Sequence, residues 1–138
     1  MHMFETRLLP DRYDDIAPDG SEIRLLAGMT SGGMCHCTLP VGRTSRPVYH
    51  RTVEEIWYFM GGQGQVWRKQ DKQEQVLDVQ PGMCVTIPTG THFQFRNIGQ
   101  APLEFIIVTM PPWPGEGEAA KLDEGHWPFT THERHSEA

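Results

Sequence analysis

Cysteine is scarce: three residues in a chain of 138, an odd number with no C-x-x-C pair. That count argues against a disulfide framework and fits a reducing compartment. Long hydrophobic runs are missing too. No apolar stretch approaches the ~20 residues that cross a bilayer, and the opening MHMFETRLLP is interrupted by Glu5 and Arg7 before a signal peptide's apolar region could form. The expectation is a cytoplasmic protein with no membrane partner. Positive charge is also in short supply, with 12 Lys+Arg against 18 Asp+Glu, a formal net charge of -6 and no basic run. Such a balance repels polyanions and disfavours nucleic acid as a partner. Finally, no window of about a dozen residues keeps apolar positions at a 3.6 period without a Gly or Pro breaking it, so helices are not expected.

What is present is a succession of short apolar or alternating runs: Glu22 to Ala27, Met34 to Leu39, Val48 to His50, Glu55 to Met60, Gln65 to Lys69, Gln73 to Val79, Met83 to Ile87, His92 to Asn97 and Leu103 to Thr109. Gly32-Gly33, Pro40, Gly42, Gly61-Gly62, Gly64, Pro81-Gly82, Pro88, Gly90, Gly99 and Pro102 fall between them. Their spacing is close to that of sandwiches and barrels, which predicts an all-β domain. The length suits one domain, large enough to bury roughly two-thirds of its unfolded surface without staples. We divide the chain into a coil arm over 1–21, with a turn at Pro18-Asp19-Gly20, a barrel over 22–110, and a Pro- and Trp-rich segment over 111–138. An indole left in water forfeits a large transfer energy. Trp113 and Trp127 therefore predict that this last segment packs partly on the barrel, with the residues after Thr130 loose.

Two stretches resemble the cupin superfamily, whose first motif runs G-(x)5-H-x-H-(x)3-4-E-(x)6-G and whose second runs G-(x)5-P-x-G-(x)2-H-(x)3-N. Here Gly42 is followed by RTSRP, Val48-Tyr49-His50, four residues, Glu55, six more and Gly62. Downstream, Gly82 is followed by MCVTI and then Pro88-Thr89-Gly90-Thr91-His92-Phe93-Gln94-Phe95-Arg96-Asn97. The resemblance is to small single-domain cupins, including mannose-6-phosphate-isomerase-like members. It implies a double-stranded β-helix, a jelly-roll-like barrel, and association as a homodimer.

In cupins the two histidines and the glutamate of the first motif, with the histidine of the second, usually bind a divalent metal. Carried over by position, His50 and Glu55 are retained, while Val48 and Phe93 stand where the other two ligands would be. His92 lies one residue before Phe93, and one residue of register turns a strand side chain to the opposite face. A β-bulge near Gly90 would restore it. His50, Glu55 and His92 would then form a two-His-one-carboxylate set for iron, manganese, nickel or zinc. The competing expectation is a metal-free apolar pocket. Period-two parity puts Val48, Trp57, Phe59, Phe93 and Phe95 on the same face as His50 and Glu55, which would sit among them as one satisfied buried pair and a candidate acid/base couple.

Other residues are read as structural. Cys35 and Cys37 share one strand face and His36 takes the other, so the three cannot converge on one ion. Arg43, Arg46 and Arg51 bracket His50 as surface cations, with an anion-binding barrel mouth as the alternative; Arg96 pairs at the surface; and His2, His126, His132 and His135 are solvated. Three functions follow as expectations: a cupin holding a small organic ligand between His50 and Glu55; a metal-dependent dioxygenase, lyase or sugar-phosphate-isomerase-like enzyme using His50, Glu55 and His92; or a metal-independent sugar epimerase or isomerase with His50 as base.

Overall fold

The computed structural model describes residues 3–130. Eleven strands run through them: β1 (Asp15–Ile16), β2 (Glu22–Gly28), β3 (Gly33–Leu39), β4 (Val48–His50), β5 (Glu54–Gly61), β6 (Gly64–Gln70), β7 (Gln73–Val79), β8 (Cys84–Ile87), β9 (His92–Asn97), β10 (Leu103–Met110) and β11 (Ala119–Lys121). They form two antiparallel sheets that pack as an all-β, jelly-roll-like barrel, ordered β1-β2-β3-β10-β5-β8 and β11-β4-β9-β6-β7. Nine of the strands coincide, within a residue at each end, with the runs read from the sequence. The other two, β1 and β11, lie in segments expected to be irregular and become strands through their partners β2 and β4.

Alternation builds the core. On β5 the side chains of Glu55, Trp57 and Phe59 are buried, and those of Glu54, Ile56, Tyr58 and Met60 exposed; on β10, Leu103, Phe105, Ile107 and Thr109 turn inward. Between the sheets, Trp57, Phe59, Phe95 and Phe105 meet edge-on or tilted, with ring centroids 4.6 to 6.4 Å apart. Leu39, Val66 and Leu103 fill the space around them. This end of the barrel is solid. Its corner turns at Gly62, where φ is +81° and an added Cβ would stand 2.5 Å from the Pro102 carbonyl oxygen, so only glycine fits.

The segment after β10 returns over the outside of the smaller sheet. Gln94 points outward from β9, yet it is fully buried because this segment covers it. Its Nε2 donates to the carbonyls of Ser45 and Trp127, and its Oε1 accepts from the backbone N–H groups of His126 and Trp127. Arg96 lies over the Trp127 ring at 4.4 Å, and His126 stacks on Trp67. The expectation about residues after Thr130 falls outside the described residues, as do His2, His132 and His135.

Candidate functional site

At the other end of the barrel the sheets part around a cavity of about 360 Å³. Its walls include Val48 and His50 from β4, Glu55 and Trp57 from β5, Phe93 from β9, and Ile107 and Thr109 from β10. Val48 and Phe93 are direct partners across the β4–β9 ladder. The four positions that correspond to cupin metal ligands, 48, 50, 55 and 93, therefore do surround one space.

His50 is 5% exposed and set edge-on between Phe93 and Trp113, with centroids 5.1 Å from each. Burial drives its ring toward the neutral form and lowers its pKa to about 4, although Glu118 pulls the other way. Glu55 accepts from Trp57 Nε1 at 3.0 Å and from Thr109 Oγ1 at 2.7 Å. Desolvation nevertheless raises its pKa to about 7, helped by the charges of Asp19 and Glu118. His50 Nδ1 stands 3.8 Å from Glu55 Oε1, too far for a hydrogen bond, and has no other partner. The pair expected to satisfy itself is thus an acid and a base held apart.

Two expectations require correction. His92 does not join His50 and Glu55: it stacks on Tyr49 at 5.2 Å, on the outer side of the sheet, and does not line the cavity. The β6–β9 ladder runs from Asn97 to His92 without a register shift, so no bulge turns the ring inward. Phe59 and Phe95 do face inward, but they sit in the solid end and not on the cavity wall. Parity gives the face of a strand and leaves the depth along it open. Val48, Trp57 and Phe93 line the cavity.

Elements far off in sequence complete the wall: Arg7, Asp15, Asp19 and Ser21 from the N-terminal arm and the turn after it, Ile23 and Leu25 from β2, Cys35 from β3, Trp113, and Ala119 of β11. Cys37 is core, and His36 faces outward to Glu104 Oε1 at 3.2 Å. Arg43, Arg46 and Arg51 leave the cavity alone; Arg51 binds the Gly117 carbonyl and Arg46 lies over Phe129.

Of the four family ligand positions two carry metal donors, His50 and Glu55, and among the described residues no group of three or more His, Cys, Asp or Glu side chains could hold an ion. Val48 and Phe93 put hydrocarbon at the two remaining ligand positions. The residues present therefore do not fit the family's metal centre.

The class is nonetheless clear, because a family model described as a cupin domain matches residues 35–109, more than half of the chain. The chain belongs to the cupin family. Over 123 residues it is 31% identical to an uncharacterised protein of Methanocaldococcus jannaschii, covering 83% of this chain and 95% of that one. Among solved structures it is similar to oxalate decarboxylase from Bacillus subtilis, with TM-score 0.66 and 17% identity over 79% of this chain, although it spans only 29% of that longer protein. The oxalate decarboxylase has Mn(II) centres. The Schizosaccharomyces pombe Cnp3 cupin domain is another neighbour, with TM-score 0.60 and 12% identity over 66% of this chain and 64% of the other. At such identities the solved structures speak for the fold alone.

Proposed function

We propose that this cupin holds a small organic ligand in its barrel cavity without a metal, with His50 and Glu55 as polar anchors in an otherwise largely apolar wall. The observation that carries the reading is the cavity of about 360 Å³, in the size range of ligand sites, where a neutral histidine and a carboxyl with a pKa of about 7 face hydrocarbon and aromatic rings. Buried polar groups are ordinarily paired, and an unpartnered Nδ1 beside such a space marks a functional position.

Occupancy tests it. Benzyl alcohol and indole, titrated into the protein and followed by tryptophan fluorescence and melting temperature, should give saturable changes in the wild type. Cys35→Trp fills the cavity from β3 and should abolish them. Equal responses in both proteins would place binding elsewhere and defeat the proposal. Anaerobic reconstitution with Mn(II), Fe(II) or Zn(II), followed by desalting and elemental analysis, should leave far less than one metal per chain. Near-stoichiometric metal that disappears in His50→Ala would overturn the metal-free reading.

A second reading, proton transfer as in an epimerase or isomerase, is favoured by the same couple: near neutral pH His50 is unprotonated and Glu55 is poised to give or take a proton. Exchange of solvent deuterium into a sugar substrate, lost in His50→Gln, would support it; no exchange across nucleotide sugars and hexose phosphates would remove it.

A further inference from the structure

Resting on that pocket reading, we infer that the ligand is a small organic cation, an amine whose ammonium group meets Glu55 and whose hydrocarbon part packs among Trp57, Phe93 and Trp113. The argument is one of charge in a confined apolar space. Three carboxyl-bearing residues, Asp15, Asp19 and Glu55, line the cavity, and Arg7 is the single Lys or Arg among the lining residues. Arg7 comes from the N-terminal arm and is already engaged by Glu5, at 3.4 Å. A fourth carboxylate, Glu118, next in the chain to the lining residue Ala119, is fixed by the Thr52 hydroxyl and the N–H groups of Thr52 and Val53.

Glu55 accepts hydrogen bonds from the neutral donors Trp57 and Thr109. The nearest basic side chain, His50, stands 3.8 Å away and makes no hydrogen bond to it. Ionising Glu55 therefore leaves a buried negative charge without a compensating positive one, a costly state in a medium of low dielectric constant. An ammonium group supplies the missing charge and forms charge-assisted hydrogen bonds, and the uncharged imidazole offers it a further acceptor. Second and independent of the acidic lining is the aromatic wall, since ring systems attract cations more strongly in desolvated settings. A carboxylate ligand would bring a second negative charge against Glu55 and gain no charge compensation. A neutral alcohol would keep one hydrogen bond and gain no charge compensation.

Isothermal titration of the full chain with benzylamine, benzyl alcohol and benzoate, matched in shape and differing in charge, decides the matter. Benzylammonium should bind about tenfold or more tightly than benzyl alcohol, and benzoate should not saturate. Glu55→Gln retains an acceptor for Trp57 and should cost the amine about tenfold while changing the alcohol by about threefold or less. Arg7→Gln, at the exposed mouth, gives a check that does not touch the core and should tighten the amine by roughly twofold. If benzyl alcohol or benzoate binds most tightly, the cation inference fails while the pocket reading stands. If none of the three binds, both fail.

Discussion

β5 passes through both ends of the barrel and ends differently at each. At one end Phe59 lies among Phe95, Phe105 and Leu103, all fully buried; at the other Glu55 lies among Val48, Thr109 and Cys35 around a void. Trp57 stands at the boundary, packing its ring on Phe105 at 4.8 Å and donating its indole N–H to Glu55. The backbone pattern is the same throughout, so the contrast is one of side-chain volume and polarity. Large rings make a base that carries stability, and smaller or polar side chains above it leave a cavity.

Truncation should separate the ends most strongly. Phe105→Ala removes a fully buried ring from the solid end and should destabilise the fold by about 3–5 kcal/mol. Val48→Ala enlarges a space that already exists and should cost about 1 kcal/mol. Denaturant unfolding measures both, and similar losses would break the distinction between base and pocket.

The pH dependence of stability sharpens it next. His50 keeps a folded pKa of about 4 against an ordinary 6.5, so between these values unfolding takes up a proton and stability rises with pH. Glu55 does the reverse: its folded pKa of about 7 exceeds the ordinary 4.5, unfolding releases a proton, and stability falls as pH rises across that window. In the wild type the two slopes oppose each other between about pH 4.5 and 6.5. Glu55→Gln should uncover the rise and His50→Gln the fall, each by about 3 kcal/mol across its window relative to the wild-type curve. Parallel curves for all three proteins would mean that neither group is held in its disfavoured form.

A smaller effect is expected from restoring the two missing ligand positions. Val48→His together with Phe93→His would place three histidines with Glu55 around the same space. Zinc at a hundredfold excess over its dissociation constant should then stabilise the double variant by about 2.7 kcal/mol, and the wild type by much less. Equal stabilisation of both proteins would show that the hydrocarbon at 48 and 93 is not what sets the wild type apart from metal-binding relatives.

Much of the base was legible in the sequence, and the pocket only in part. The strands from β2 to β10 announce themselves because Gly and Pro punctuate them and alternation fixes which face is inward. β1 and β11, of two and three residues, exist through pairing with distant strands and carry no periodicity of their own. Parity already set His92 opposite Phe93, and the uninterrupted ladder confirms it. How high a side chain sits in the barrel is fixed by strand stagger and by which neighbours close the end. For Phe59 and Phe95 parity accordingly gives the correct face and the wrong depth. Asp19, Arg7 and Ile23 reach the cavity through tertiary folding, and no local pattern marks them. Trp113 had one trace, an indole in a Pro-rich segment too apolar to be left entirely in water.

That tryptophan gives the smallest effect on stability and the most selective one on the site. It is 40% exposed, and its ring meets His50 edge-on at 5.1 Å. Trp113→Ala removes little buried area from the base and should lower stability by no more than about 1 kcal/mol. It also strips one side of His50 of its apolar cover, readmitting water and easing protonation. The His50 pKa, followed by NMR titration of the ring, should therefore rise from about 4 toward 6.5 while the unfolding curve barely moves. A loss of stability comparable to that of Phe105→Ala would make Trp113 part of the base. An unchanged His50 titration would mean that Phe93 and the rest of the cavity wall are enough to keep the ring dry.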